Sequence, residues 1–345
     1  MSHRASLRLQ ETRAGLDSQG PPHQAQNAGR MIVARAIRSG AWILLAILAL
    51  PACRPARRAA PDSMVSTAGA PGIPELKQAT YLAIAPGEGP VTLKDGVWEG
   101  APYEAGGASR PSVRLVEDLL LAGDLTGDGV EDAVALLTAD AGGTGVMSYL
   151  ALMSRKKGQV TNLATTTVGD RVQIRAARIV AGQLVVDVVQ PGPNDPMCCP
   201  GELATRRWTY AGGKLQEAAP VLAGRLSPDA LAGREWILTH WSRELAAPAG
   251  PPVTLLLAEG TIRGSSGCNN YVAAFKAGDS PSDIAIGPTA GTRMMCDAPA
   301  MTVEDRFLAQ LAAVRSFSFV AGKLVLNYET HGTPGSMVFA ARVSR

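Results

Sequence analysis

Between Ala79 and Arg207 the chain alternates short apolar runs with clusters of turn residues: VRLVEDLLLAGDL, DAVALLTA, VMSYLALMS, DRVQIRAARIV and GQLVVDVVQ. Runs of roughly 4–8 residues rich in Val, Ile, Leu and Tyr, bounded by Gly, Asp and Asn, predict strands. Gly-rich 141–145 and Ala181-Gly182 predict hairpin turns, and hence antiparallel pairing. The pattern breaks near 217–232, at Pro220 and again at Ser227-Pro228. It resumes with Trp236-Ile237-Leu238, Val253 to Leu257, Thr261 to Gly264, and closing strands near 316–328 and 336–342. One stretch has helical spacing instead. Thr302 serves as an N-cap with Asp305 three residues on, and Phe307, Leu308, Leu311 and Val314 fall on one face, which predicts a helix over 303–314. The expectation is a mainly β (α+β) protein of two antiparallel β domains, at 79–218 and 230–345, the second with a single helix.

The run AWILLAILAL at 41–50 follows Arg35 and Arg38 and ends at Pro51-Ala52-Cys53. It is too short for a bilayer core of ~30 Å, yet it suits the apolar segment of a signal peptide. Residues 1–52 read as an N-terminal extension and signal peptide, with translation starting at Met31. The Pro- and Arg-rich stretch from 53 to 78 reads as a flexible tether.

Charge follows this division. Of the 33 basic and 30 acidic residues, the first 52 positions hold six Arg and two acids, which leaves 27 basic and 28 acidic groups over 53–345. The part expected to fold is nearly neutral, so no nucleic-acid partner is expected. Hydrophobic residues make up 46% and charged residues 18%, a globular balance rather than a disordered one.

Leu50-Pro51-Ala52-Cys53 resembles the bacterial lipobox. The resemblance implies lipidation of Cys53, cleavage before it, and anchorage to the envelope membrane through palmitate-type acyl chains. Arg54 is not the Asp that signals inner-membrane retention, which favours the outer membrane, facing the periplasm. Four cysteines remain, Cys198, Cys199, Cys268 and Cys296. An even number in an exported chain favours disulfides over metal. Cys198 and Cys199 could pair with each other, bond across domains, or remain as thiols.

Three segments recur in a distinctive order: Gly264-Ser265-Ser266-Gly267-Cys268-Asn269-Asn270-Tyr271, then Gly291-Thr292-Arg293-Met294-Met295-Cys296, then Pro299-Ala300-Met301 leading into Glu304. This resembles the META/HslJ domain over about 230–343, with Gly267, Asn269, Tyr271, Thr292, Arg293 and Met294 at the motif positions. The resemblance implies a small antiparallel β fold with one helix, in envelope lipoproteins linked to heat shock and novobiocin resistance, without assigned enzymatic activity. On this reading Cys268 and Cys296 are disulfide partners, closing a loop that contributes about 3–4 kcal/mol. Asn269 and Asn270 suit a turn or a left-handed position, Arg293 bonds carbonyls or a carboxylate, and Met294 and Met295 fill core. Gly123 to Asp132, Gly169 to Val172 and Gly192 to Pro200 are similar to the LppP/LprE lipoprotein family over about 80–215.

Asp124, Thr126, Asp128, Val130 and Asp132 stand at alternating positions of a D-x-T-x-D-G-x-x-D loop, a pattern that can converge oxygens on Ca²⁺. Ala135 stands where a helix–loop–helix site carries its bidentate Glu, and the competing reading is a turn closed by its own Asp side chains. No other cofactor is required. Gly264 to Gly267 lacks the G-x-S-x-G pattern, and His240 and His331 lie in no motif, so no enzyme is expected. The sequence therefore reads as a non-enzymatic binding or assembly accessory in envelope stress tolerance, whose partner is an envelope protein or a small hydrophobic ligand. The alternatives are a redox protein using Cys198 and Cys199 and an envelope protein that binds small hydrophobic compounds.

Overall fold

The computed structural model describes residues 69–85, 89–196, 198–242 and 245–342. The signal peptide, Cys53 and the tether as far as residue 68 lie outside the described residues. From Gly69 onward the expected tether is folded. A short helix α1 (Ile73–Leu76) buries Leu76, and Arg155 reaches across to the Gly69 carbonyl and to Glu75, which it meets through both guanidinium nitrogens at 2.6 Å. Leu76 decides this: buried on the sheet, it holds a segment that composition alone marks as loose.

The ribbon β1 (Thr80–Tyr81) and β2 (Val91–Thr92) lies with α1 over a five-stranded antiparallel sheet in simple order, β3 (Val97–Glu99), β4 (Ser112–Gly123), β5 (Asp132–Asp140), β6 (Val146–Lys156) and β7 (Gln159–Asp170). Leu76, Tyr81, Ile84 and Leu93 pack on one of its faces and the next sheet packs on the other. With both faces covered, β5 and β6 are buried almost throughout, which is why DAVALLTA and SYLALM read as unbroken apolar runs. The second sheet comprises β8 (Gln173–Val180), β9 (Gln183–Gln190), β10 (Glu202–Ala211), β11 (Lys214–Glu217) and β12 (Val221–Arg225), the last two both pairing with β10. Strands β7, β10, β11 and β12 were not singled out by their apolar content. Thr-rich β7 and Arg-rich β10 carry too many polar residues to stand out.

The third sheet holds β13 (Glu235–His240), β14 (Thr254–Ala258), β15 (Thr261–Ser265), β16 (Asn270–Ala277), β17 (Ile284–Ile286), β18 (Ala290–Gly291), β19 (Val314–Val320), β20 (Lys323–Thr330) and β21 (Thr333–Ala341). Its order is 17-16-15-14-13-21-20-19, with β18 also on β16. The two edges come together where Phe317 N–H donates to the Ser282 carbonyl at 2.9 Å and Asp283 bridges Ser316, so the sheet nearly closes into a barrel. Helix α2 (Ala298–Ala312) buries Phe307 and Leu311 in that core beside Trp236, Tyr271 and Phe339.

The helix starts five residues before the expected 303. Asp297, not Thr302, is the N-cap, accepting from Ala300 N–H at 3.1 Å, and Pro299 fits the first turn. The Thr302 hydroxyl donates back to the Ala298 carbonyl. Tight two-residue turns recur at Lys157-Gly158, Ala181-Gly182, Glu259-Gly260, Ala321-Gly322 and His331-Gly332, all with positive φ at both positions. This geometry matches the twist of the flanking strands.

The second and third sheets share a seam. The Ala321-Gly322 turn enters the core between the first two sheets, where Ala321 is buried, Gly322 N–H donates to the Ile174 carbonyl at 2.9 Å, and Phe319 N–H donates to Gln173 at 2.9 Å. Arg175 lies over the Phe319 ring at 5.3 Å, and Lys323 pairs with Asp118 at 2.7 Å. In exchange, Val189 and Leu226 join the core of the third sheet.

Candidate functional site

The turn between β15 and β16 holds the densest polar network of the third sheet. Asn269, buried, accepts at Oδ1 from the Thr292 hydroxyl and from Met294 N–H, both at 2.7 Å. Its amide donates to the Met294 carbonyl at 3.2 Å and to Glu304 Oε1 at 3.0 Å. Glu304, buried on the inner side of α2, also accepts from Asn269 N–H at 2.8 Å and from the Ser266 hydroxyl. Burial alone would push the Glu304 carboxyl up, but the hydrogen bonds from Ser266 and from Asn269 outweigh it and hold its pKa below the usual value. Cys268 and Cys296 are brought to disulfide distance beside this network, their Cα atoms 6.0 Å apart.

The turn is shaped by what cannot fit. A Cβ at Gly264 would lie 2.1 Å from the Thr254 carbonyl oxygen, so β14 and β15 approach this closely only around a glycine. Gly267 takes the left-handed conformation (φ 102°) expected of the asparagines, whose φ values stay negative. Tyr271 reaches inward, donating its hydroxyl to the Thr254 carbonyl at 2.9 Å and meeting the Phe307 ring edge-on at 5.3 Å.

Beside this latch runs a groove of ≈ 660 Å³ between the strap Ala247–Val253 and the first turns of α2, floored by Leu238 and bordered by Gly267, Asp297 and Val303. Its strap, Ala-Pro-Ala-Gly-Pro-Pro, carries three prolines, which have no N–H to give to a sheet ladder.

A strand pair joined at a Gly-Cys-Asn turn, a Thr-Arg-Met-x-Cys segment hydrogen-bonded to it and an acidic helix residue beneath both form one unit. Residues 229–339 match the META domain. The match covers the C-terminal part of the chain and spans the third sheet from the start of the 228–231 turn almost to the end of β21. No curated protein matches the chain. Among solved structures, one described as the NMR structure of the protein from Burkholderia xenovorans is 21% identical, the match covering 37% of this chain and 97% of that one at a TM-score of 0.27.

Within the META domain, Asn269, Tyr271 and Thr292 of the motif are structural, and Gly267 supplies the turn. Two expectations are corrected. Met294 and Met295 are not core filler: they are 56% and 96% exposed, because the backbone of Met294 is held by Asn269 and the segment's side chains turn outward. Arg293 is likewise exposed and bonds no carbonyl or carboxylate among the described residues. The role of Ser266 as the link between the turn and Glu304 was not legible, since a serine in a Gly-rich turn carries no mark of its partner 38 residues away.

The acidic loop between β4 and β5 is turned on itself. Asp124 accepts from Gly127 N–H at 2.6 Å and Gly129 N–H at 2.9 Å; Asp128 accepts from Val130 N–H at 3.0 Å and pairs with Lys156 at 3.1 Å; buried Asp132 accepts from Leu125 and Thr126 N–H, both at 3.0 Å. Only Asp132 Oδ1 and Thr126 Oγ1 are left buried without a partner, against the six to eight oxygens that Ca²⁺ takes. Among the described residues no three His, Cys, Asp or Glu side chains converge on a metal position. The carboxylates of Asp124, Asp128 and Asp132 close the loop on its own backbone, the arrangement that the turn reading of Asp124, Thr126, Asp128, Val130 and Asp132 expects. Adding calcium or a chelator is expected to leave the melting temperature unchanged in scanning calorimetry; a rise with calcium would restore the ligand reading.

Cys198 and Cys199 are brought to each other, with Cα atoms 3.8 Å apart, in a loop closed by Asp195. That carboxylate accepts from Gly192 and Gly201 N–H and pairs with Arg225, which draws its pKa down to about 2. Arg206, a cation near these cysteines in sequence, is engaged with Glu217 at 2.6 Å and with the Val168 carbonyl. His331 sits in a hairpin turn, and His240, in β13, meets the hydroxyl of its neighbour Thr239 at 3.0 Å.

Proposed function

We propose that this chain is a lipid-anchored accessory of the bacterial envelope that binds a partner and catalyses no reaction, supporting envelope integrity under stress. The observation that carries the reading is the use made of the META motif: Ser266, Asn269, Thr292 and Glu304 spend their polar atoms on one another, which braces the wall of an open apolar groove. Such a site recognises by shape and apolar contact. The exposed Met294 and Met295 extend apolar surface on the same domain, and methionine adapts to varied partners. The groove is of a size for a small hydrophobic compound or for the side chains of a docked segment. Anchorage through Cys53 would confine it to the membrane surface, facing the periplasm.

Intact-mass analysis of the protein isolated from its own membranes, before and after reduction, tests the anchored reading. A chain beginning at an acylated Cys53, with 198–199 and 268–296 bridged, is expected. A chain beginning elsewhere without lipid, or with free thiols at 198–199, would overturn it and favour a soluble or redox-active protein.

A further inference from the structure

A second cavity, of ≈ 670 Å³, lies at the seam between the first and third sheets, apart from the META groove. Its two walls can be read from strand register. On the first sheet, Arg114 stands opposite Thr138, and Thr138 opposite Ser148, so one polar row crosses β4, β5 and β6. Two residues inward the same face is apolar, with Leu136 opposite Leu150 in the shared core. On the third sheet, Ser318, Val325, Val338 and His240 form a facing row across β19, β20, β21 and β13.

The hydroxyls of Thr138, Ser148 and Ser318 bond no described residue, although Ser148 is buried to 7% exposure. None of the three hydroxyl oxygens is sealed from the cavity, so three donors stand open around it, an arrangement that fits a ligand that accepts. The charges agree. Arg114, Arg171 and Lys323 line the cavity against the single carboxylate of Asp118, which Lys323 already holds. Arg171 is paired with Asp170, but Arg114 touches only Glu99, at 3.9 Å, and its side chain is 57% exposed. Between the polar ends, Leu115, Ile174, Val320 and Val338 give an apolar lining.

We infer that this seam cavity binds a small single-chain carboxylate amphiphile, its carboxylate on Arg114 with the Thr138 and Ser148 hydroxyls and its hydrocarbon against Val320 and Val338. A charge-assisted contact to Arg114 accounts for the head and burial of the chain for the tail. The cavity exists only while the sheets are docked, so an occupant would also strengthen the seam. The inference is independent of the anchored accessory reading, since it requires neither Cys53 nor the META groove.

Isothermal titration of the full chain with octanoate, octanamide and acetate tests it. Octanoate is expected to saturate one site, octanamide to bind about tenfold more weakly, and acetate not to bind. Arg114→Ala, at a half-exposed strand position, is expected to lower octanoate affinity about tenfold, to the octanamide level. Ser318→Phe, which fills the cavity, is expected to abolish binding. No saturable octanoate binding, equal affinity for octanamide, or unchanged affinity in Arg114→Ala would each overturn the assignment.

Discussion

Asn269→Ala is expected to lower the stability of the chain by about 4 kcal/mol, seen as a fall in the urea midpoint at unchanged slope. Five hydrogen bonds end on this one buried side chain, linking Cys268, Thr292, both backbone groups of Met294, and Glu304. Truncation leaves the Met294 N–H and one Glu304 oxygen without their partner. Leaving such a group unpaired costs about 1–3 kcal/mol, more where it is charged. Little relaxation is open to the site, because Cys268 and Cys296 hold the two segments together on either side.

The same substitution has a signature in pH. The folded pKa of Glu304 lies below its ordinary value of 4.5, so its contribution is fully present above that value and is lost as pH falls through the folded one. Removing Asn269 takes away a donor that offsets the cost of burying the carboxylate, and the folded pKa rises. The acid limb of the stability curve should accordingly move to higher pH in the variant. A variant with wild-type midpoint and acid limb would show that the latch is decoration, and the structural account of the motif would fall with it.

Ala321→Asp is expected to be comparably severe, at about 3–5 kcal/mol, the range for a buried charge without a partner. Ala321 sits at φ 50° in a two-residue turn, a conformation that Asp adopts more readily than Ala, so the backbone itself would gain slightly. The loss therefore reports burial of the turn in the core between the first two sheets. Two paths are open to the molecule: unfolding, or withdrawal of the turn with loss of the Gly322 to Ile174 hydrogen bond and the Lys323 to Asp118 pair. Calorimetry separates them. The wild-type chain should melt in a single transition, while the variant melts earlier or splits into two. Two transitions already in the wild-type chain would mean that the seam contributes little.

Much of the architecture was legible because strand formation leaves a local trace. DAVALLTA and VMSYLALMS are apolar enough to be strands in any context, and Ala181-Gly182 is a hairpin turn wherever two strands flank it. Strand β7, with Thr165, Thr166 and Thr167, is half polar and only partly buried, so it leaves no apolar run in the sequence. The helix was legible from Phe307 and Leu311, and its first turn was not, because Thr302 and Asp297 are both good caps and only the path of the chain chooses between them.

The site divides in the same way. The residues of the META motif were visible as a pattern, and their relation to one another was not. That Asn269 holds the backbone of Met294 turns the methionines outward, the reverse of what their hydrophobicity suggests. In the acidic loop the spacing of Asp124, Asp128 and Asp132 serves either a cation or a turn, and the direction of each carboxylate decides.

What the sequence determined by itself was a mainly β chain with a helix late in its second half and a near-neutral folded part, which follow from composition and from spacing along the chain, where side-chain period and turn chemistry act over a few residues. The C-terminal META/HslJ pattern was visible as a resemblance, carried by its motif residues. Only the tertiary structure decided that Glu304 closes the latch, that the Ala321-Gly322 turn enters a core built by residues more than a hundred positions earlier, and that Arg114, Thr138 and Ser148 line a cavity with Ser318. Those relations depend on strand register and on which faces are left to meet, and register is set by the summed burial of whole sheets rather than by any one segment.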